Sequence, residues 1–521
     1  MAEWCALGGS QIVSGIRALQ VSAQAAEARA SRFALASILL LALALRLWVL
    51  ATHTYLAHPD ETFQYFEPAH RLVFGTGVIT WEFLDGIRSW LLPGAIAGVM
   101  RVVSVFDTDP AAYILTCRLL FVLASLAVPY AGYRIGDRVG GQGAAIVAGL
   151  LCALSPQAIY FAPVVMTEPL ATDAALLAIA IGCGAAQQPG RARRLLLVGA
   201  LFGLASALRY QYAPVLGAVA LWQHARARRS FLLVAGSGLA VVVLALGVLD
   251  VATWGVPFQS VWLNFLRNGP QGVSQAMSAE PWPYYLAYFV VAWGAIAPAI
   301  LVCLAFGAKR APALAILAIL TIALHSLPPH KELRFIFLAT AAMPILIGIG
   351  LDALAGYLPL RRAGLPARIG LALGLALVIA WGTLSRATRS DDWHRDGSLL
   401  QATAAARAIP EVCGLAIRTA RVYRSGGYTY WHRDVAIYWE TWDGAQELPG
   451  SAFRLRLDSL LNGRSVTQYP DAAMASHTDK FNAIVGLRTD GLPGFTEQSC
   501  FGTGSLDDRT FCVFIRPGGC G

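Results

Sequence analysis

The chain has 521 residues, of which 56% are hydrophobic and only 14% charged, with a net charge of +9. A soluble chain carries about 25% charged residues, so this composition excludes an ordinary soluble enzyme. Nucleic acid is excluded as a partner too, because the basic residues sit in short loops between apolar runs, the pattern of a polytopic membrane protein.

Residues 1–32 read as a cytoplasmic leader that lacks the apolar core and cleavage site of a signal peptide. Phe33–Leu50 contains one charge, Arg46, and reads as an uncleaved anchor long enough to cross a bilayer. Further apolar segments follow at 112–132, 143–162, 169–187, 195–210, 213–224, 231–252, 284–307, 311–326, 333–355 and 367–386. Together they predict about eleven spans within a transmembrane domain over 33–387. The segment 87–105 is expected to lie in the outer interface rather than cross. Only then do Arg134/Arg138, Arg191/Arg193/Arg194, Arg226/Arg228/Arg229, Lys309/Arg310 and Arg361/Arg362/Arg368 all fall on the cytoplasmic side.

That topology places 53–111, 253–283, 327–332 and everything beyond about 387 outside. The tail, 388–521, is more polar, with Asp391, Asp392, Asp396 and Asp434 and an alternating stretch at Val435–Trp442. It is expected to be a small α+β extracytoplasmic domain. It holds Cys413, Cys500, Cys512 and Cys520, enough for two disulfides in any of three pairings. Cys5, Cys117, Cys152, Cys183 and Cys303 read as ordinary residues of the leader and spans, and no metal-type Cys/His spacing is present.

Two constellations carry candidate chemistry. His58-Pro59-Asp60-Glu61 follows the first span; a desolvated carboxylate there can act as a general base toward a hydroxyl. The competing reading is a helix cap, with Asp60 opening an interfacial helix and Glu61 in its first turn. His330-Lys331-Glu332-Leu333-Arg334 sits at another outer helix mouth, where Arg334 can grip a phosphate with paired hydrogen bonds and Lys331 adds a point charge. Charged side chains reaching from a helix end to water are the plainer account. Arg88, between Trp81 and Trp90, is placed to meet a lipid phosphate. Glu168 and Arg209-Tyr210-Gln211-Tyr212 lie at further outer helix ends, and Trp254–Asn268 reads as an interfacial helix.

The string HPDETFQYFEPAHRLVFGTGVITWEF with GIRSWLLPG resembles the first external loop of glycosyltransferase family 22, the mannosyltransferases of glycosylphosphatidylinositol and N-glycan precursor assembly. HKELRFIF at 330–337 resembles that family's second hallmark, and WGVPFQSVWLNFLRN a softer third. The resemblance covers roughly 35–350 and implies an all-α polytopic GT-C glycosyltransferase fold. It implies an inverting transfer of mannose from a polyprenyl-phosphate-linked donor to a glycan or glycolipid acceptor on the outer or lumenal side, without a nucleotide sugar. The catalytic role carries onto Asp60, with Glu61 beside it; substrate binding carries onto His58, Arg88, His330, Lys331, Glu332 and Arg334. Family members usually have Asn or Ser near Glu168, so the resemblance carries no shared role to that position. The scheme needs no cofactor and no metal, though it leaves room for a divalent ion between Asp60 and the phosphate. Competing readings are a transferase for another lipid-phosphate sugar and a lipid-linked sugar transporter. The Ala- and Arg-rich composition suggests a bacterial inner membrane with the site periplasmic; in a eukaryote the membrane would be that of the endoplasmic reticulum.

Overall fold

A computed structural model describes residues 2–183, 191–277, 279–357, 364–387, 393, 396–418, 424–440, 466–469, 478–502 and 510–520. Arg361, Arg362, Asp391, Asp392 and Trp442, which entered the reading above, lie outside these residues. Within the described residues the apolar segments expected to span are largely helical, with breaks inside 143–162 at Ser155 and inside 284–307 at Gly294; 184–187 of the segment 169–187 lie outside them. Five helices are long and apolar enough to cross a membrane: Ala26–Thr52, Pro110–Gly140, Arg228–Trp254, Tyr284–Arg310 and Leu333–Ala355. Shorter helices such as Gln142–Leu154, Thr167–Gly182, Arg191–Leu208, Ala213–His224 and Pro312–Ser326 fill the places between them. The protein is a multi-pass membrane protein.

Leu333–Ala355 is the axis of the bundle: 83% of its most apolar window is buried, against 17–39% for the other four. Small residues permit that. A Cβ on Gly350 would collide with the backbone of Cys303, and one on Gly307 with that of Leu346, so these helices approach through bare backbone. The charge inside the first span is also accommodated: buried Arg46 donates to Ser125 Oγ and to the carbonyl of Ala42.

The segment 87–105 contains the helix Leu91–Val103, which shares a core with the loop: Leu92, Ile96 and Met100 cluster with Tyr65, Phe66 and Ala69. One expectation changes. Trp254–Asn268 is not a single helix. Leu249–Trp254 closes the preceding helix at Gly255, whose φ of 82° is left-handed, and a separate helix runs Gln259–Asn268. Gly255 followed by Pro257 explains the break, since glycine accepts that φ and proline has no N–H to continue the helix.

The tail forms a six-stranded mixed sheet of β1 Leu415–Arg418, β2 Ile437–Glu440, β3 Val466–Tyr469, β4 Ala483–Leu487, β5 Thr496–Phe501 and β6 Phe511–Ile515, in the order β3-β2-β1-β4-β6-β5. β1 pairs in parallel with β2 and β4, while β6 runs antiparallel to β4 and β5. Alternation along β1 and β4 sends Leu415, Ile417, Ala483 and Val485 to one face, where they meet Leu399, Ala402 and Ala406 of the helix Gly397–Arg407. Phe63 and Val78, which follow the first span, belong to that same core, so the tail's hydrophobic interior is completed by the membrane domain's loop.

The disulfides are Cys413–Cys520 and Cys500–Cys512, one of the three pairings open to the sequence. The first closes a separation of 107 residues and the second one of 12. By chain entropy, Cys413→Ser/Cys520→Ser is expected to destabilise the tail by about 4–5 kcal/mol and Cys500→Ser/Cys512→Ser by about 3 kcal/mol. Limited proteolysis across a temperature ramp reads the ranking; equal melting of both variants would refute it.

Candidate active site

The two acidic and basic constellations, 274 residues apart, converge on one ion-pair network. Pro59 and Asp60 begin the helical stretch that continues as a π-turn over Glu61–Phe66, but the Asp60 side chain makes no capping hydrogen bond. Its Oδ2 instead lies 2.8 Å from a terminal nitrogen of Arg334. Glu332 is in extended backbone and Arg334 in the 3-10 turn Leu333–Ile336 that follows. Two residues apart across this extended-to-helical junction, they pair bidentately: Arg334 Nε donates to Glu332 Oε2 at 2.6 Å and its other terminal nitrogen to Oε1 at 3.1 Å.

The histidines frame this pair. The Asp60 amide donates to His58 Nδ1, which also lies 3.3 Å from Asp60 Oδ1, and His58 Nε2 faces Glu332 Oε2 at 3.2 Å. His330 Nε2 lies 2.8 Å from Glu332 Oε1. Burial, the largest single influence, would push the Asp60 carboxyl up, but the Arg334 guanidinium together with His58 and Arg88 outweighs it and holds the group well below the usual carboxylate range. Glu332 is held down by the same guanidinium against its own burial.

Asp60 and Glu61 are chain neighbours in opposite environments. The Asp60 side chain is 20% exposed and lies against Arg334, whereas that of Glu61 is 1% exposed. Glu61 Oε1 accepts from Arg118 at 3.2 Å and from the Val165 amide at 3.3 Å, and burial raises its pKa despite Arg118. Arg118 also donates to Tyr430 of the tail. Two carboxylates pushed apart in this way have different roles open to them: Asp60 is ionised and reachable, while Glu61 is an internal anchor.

A cavity of about 740 Å³ opens from this cluster. His58, Glu332 and Arg334 line its polar end; Tyr288, Phe289 and Met343 line its apolar walls among the membrane helices. A second, smaller and more polar pocket lies beyond Glu168, lined by Gln64, Tyr65, Arg88, Arg209, Tyr210 and Asn264. Glu168 is the partition: its Oε1 is 2.8 Å from Arg209, which lines the polar pocket, and 3.6 Å from Arg334, which lines the groove.

The fold around this site resembles solved structures over nearly the whole chain. ArnT from Cupriavidus metallidurans matches with a TM-score of 0.58 at 15% identity, covering 92% of this chain and 97% of that one. AglB from Archaeoglobus fulgidus matches with a TM-score of 0.55 at 13% identity, covering 88% and 69%. Both have the GT-C fold, and so does this chain. The sequence profile of the Alg9-like mannosyltransferase family matches residues 37–403. The chain belongs to that family. Relatives include GPI mannosyltransferase 3 of Yarrowia lipolytica, 28% identical over 300 residues (55% of this chain and 56% of the relative). The protein of that name from Drosophila melanogaster is 39% identical over 98 residues, 19% of this chain and 17% of that one. The chain spans about half the length of the Yarrowia relative, so the match does not extend over the whole of that protein.

In this Alg9-like family member the other expected site residues are placed as follows. Arg88 pairs with Glu82 at 2.7 Å and lines the polar pocket; Glu82 also accepts from Gln64. Lys331 is buried, with Nζ donating to the carbonyls of Glu280 and Pro328, so its ammonium braces the loop before Arg334. Sequence reasoning gave no site role to Glu168, Arg209 or Arg118. A charge within the apolar run 112–132 was the available signal for Arg118. Among the described residues, the one tight metal-like group, Glu497 with Cys500 and Cys512, has its sulfurs joined in a disulfide and offers no thiolate.

The tail is joined to the loop through a buried carboxylate. Glu67 accepts from the Thr429 amide and hydroxyl, both at 2.6 Å, and from the Val78 amide at 2.7 Å. Burial pushes its pKa up to about 7 against those bonds. His70 Nε2 meets His432 Nδ1 at 2.8 Å beside it. Glu67→Gln replaces one acceptor oxygen by an NH₂ that confronts a donor, and is expected to loosen the joint by about 1–3 kcal/mol. Hydrogen exchange at Val78 and Thr429 is the measurement, and unchanged protection of both amides would refute the joint's dependence on Glu67.

Proposed function

We propose that this protein transfers mannose from a polyprenyl-phosphate-linked donor to a hydroxyl of a glycan or glycolipid acceptor, inverting the anomeric carbon, on the outer or lumenal side of the membrane. The observation that carries the reading is the groove: an apolar channel among membrane helices that ends on Arg334, His58 and Glu332 beside an ionised, reachable Asp60. An isoprenoid chain suits the apolar part and a phosphate the guanidinium end. ArnT has been solved bound to undecaprenyl phosphate and AglB with a dolichol-phosphate, which supports a lipid phosphate as the ligand of this fold. The mannose assignment rests on family membership and relatives named as mannosyltransferases.

In this scheme Asp60 takes the acceptor's proton as its oxygen attacks C1 of the sugar. The C1–O bond to the phosphate breaks on the opposite face, and Arg334 stabilises the charge that develops on the leaving phosphate. Arg334 must then exchange part of its carboxylate pairing for phosphate, and its separation from Asp60 is what frees the base. The polar pocket across Glu168 suits the acceptor's hydroxyls, with Arg88 and Asn264 on its wall.

The test is transfer of radiolabelled mannose from a polyprenyl phosphate by membranes containing the protein, beside a panel of other lipid-phosphate sugars and of nucleotide sugars. Label moving from the lipid-phosphate mannose, and not from GDP-mannose once lipid-phosphate mannose synthesis is blocked, is expected. Transfer only from another lipid-phosphate sugar would overturn the sugar, and transfer only from a nucleotide sugar would overturn the donor class.

A further inference from the structure

The helices that present the site have a second cavity at their opposite ends. Glu168 opens the helix Thr167–Gly182, and Gly182 at its other end lines a cavity of about 420 Å³. Fourteen residues separate the two positions, which at 1.5 Å per residue is about 21 Å of helix, most of the thickness of a hydrocarbon core. The same reversal holds for Arg191–Leu208, with Arg191 in this cavity and Arg209 just past the other end. This cavity therefore belongs to the other membrane face.

Its rim is basic. Arg191, Arg226 and Arg310 line it; Arg191 donates to Ser230 Oγ at 2.6 Å, and Arg310 approaches Asp352 only at 3.7 Å. Arg226 makes no ion pair with a described residue. Two further lining atoms are buried without partners: His224 is 8% exposed, and among the described residues neither its Nε2 nor the buried Oε1 of Gln223 has a hydrogen-bond partner. An orphaned buried polar atom loses its hydration with no return, so a pair of them on a cavity wall points to a ligand that supplies the missing bonds. The floor, with Ile179 and Leu195, is apolar, and Trp222 stands at the edge. The aromatic edge and apolar floor suit a molecule anchored in the leaflet.

We propose that this cavity is a binding site for an anionic phospholipid whose headgroup carries a free hydroxyl. The phosphate diester answers Arg191, Arg226 and a proton on His224 Nε2. The headgroup hydroxyl donates to Gln223 Oε1, which a phosphate oxygen cannot satisfy. The acyl chains follow the apolar floor. The site does not depend on the sugar-transfer reading, because none of its residues touches the catalytic network.

The full-length protein in a neutral detergent is titrated with phosphatidylglycerol, phosphatidylcholine or inorganic phosphate, and bound lipid is counted by native mass spectrometry. Wild type is expected to retain one phosphatidylglycerol in preference to phosphatidylcholine, and Arg191→Gln/Arg226→Gln to bind it about 30-fold more weakly, the loss of two basic contacts at a membrane surface. Arg191→Lys/Arg226→Lys should keep most of the preference. Equal retention of the two lipids by wild type overturns the proposal without any variant being needed. So does an unchanged preference in a monodisperse Gln variant. Displacement of phosphatidylglycerol by inorganic phosphate would overturn the lipid assignment in favour of a soluble phosphate ligand.

Discussion

Asp60→Asn is expected to lower kcat for sugar transfer by about 10³-fold, the scale at which a positioned general base contributes. The amide keeps the size of the side chain and an oxygen that can face Arg334, so the network around Glu332 should persist and the protein should fold. What it loses is the capacity to take a proton. Its neighbour provides the contrast. Glu61→Gln removes a charge that is 1% exposed and paired with Arg118, leaving a buried guanidinium short of its partner. Breaking such a pair destabilises by about 3–5 kcal/mol, so this variant should fail mainly by unfolding at lower temperature. At a temperature where both proteins are folded, Glu61→Gln should retain far more kcat than Asp60→Asn. The measurement is turnover with saturating lipid-phosphate mannose, with melting followed in parallel. Near-normal turnover in Asp60→Asn would remove Asp60 from the mechanism, and equal losses in both variants would remove the distinction drawn between the two carboxylates.

The membrane helices were legible in the sequence because a bilayer imposes one simple demand, long apolar runs with polar breaks, and the apolar runs are largely helical over the described residues, five of the helices being long and apolar enough to cross a membrane. His58–Glu61 and His330–Arg334 were legible as chemistry because charged residues gathered at helix mouths need partners. Their mutual contact was not, since nothing local to either string specifies that Asp60 meets Arg334 across 274 residues. The split between Asp60 and Glu61 was equally hidden: it depends on a π-turn that sends consecutive side chains to Arg334 and Arg118. Glu168 was discounted because its position departs from the usual family residue, yet it bridges Arg209 and Arg334. The break at Gly255 was missed because the apolar-aromatic pattern of 254–268 outweighed two residues that interrupt helices. The tail's sheet was foreshadowed by its alternation, but its sharing of a core with Phe63 and Val78 is a long-range packing fact that periodicity does not carry.

Arg334→Gln should have the second large effect, and its pH dependence identifies the cause. Arg334 holds two carboxylates, Asp60 and Glu332, below their ordinary range in spite of burial. A depressed carboxylate contributes stability above its unfolded pKa, about 4, and loses it only as pH falls through the still lower folded value. In wild type this contribution is therefore intact and flat from about pH 5 to 8. Without the guanidinium, burial is the leading influence on both acids, against the smaller pull of His58 and His330, and raises them. The sign then reverses: the raised groups favour folding below the unfolded pKa and cease to do so as pH rises through the folded one. Arg334→Gln should lose about 3–5 kcal/mol near neutrality and recover part of it on acidification, whereas wild type should gain nothing. Turnover should fall by about 10²–10³, as expected for removing a donor from a developing oxyanion, and its acid limb should move to higher pH because Asp60 must now be deprotonated against burial. Arg334→Lys keeps the charge but cannot form the fork to Glu332, so it should restore the position of the acid limb better than it restores kcat. Melting and turnover profiles of the three proteins over the same pH range decide the matter: parallel stability curves for wild type and Arg334→Gln would show that the guanidinium does not set the ionisation of Asp60 and Glu332.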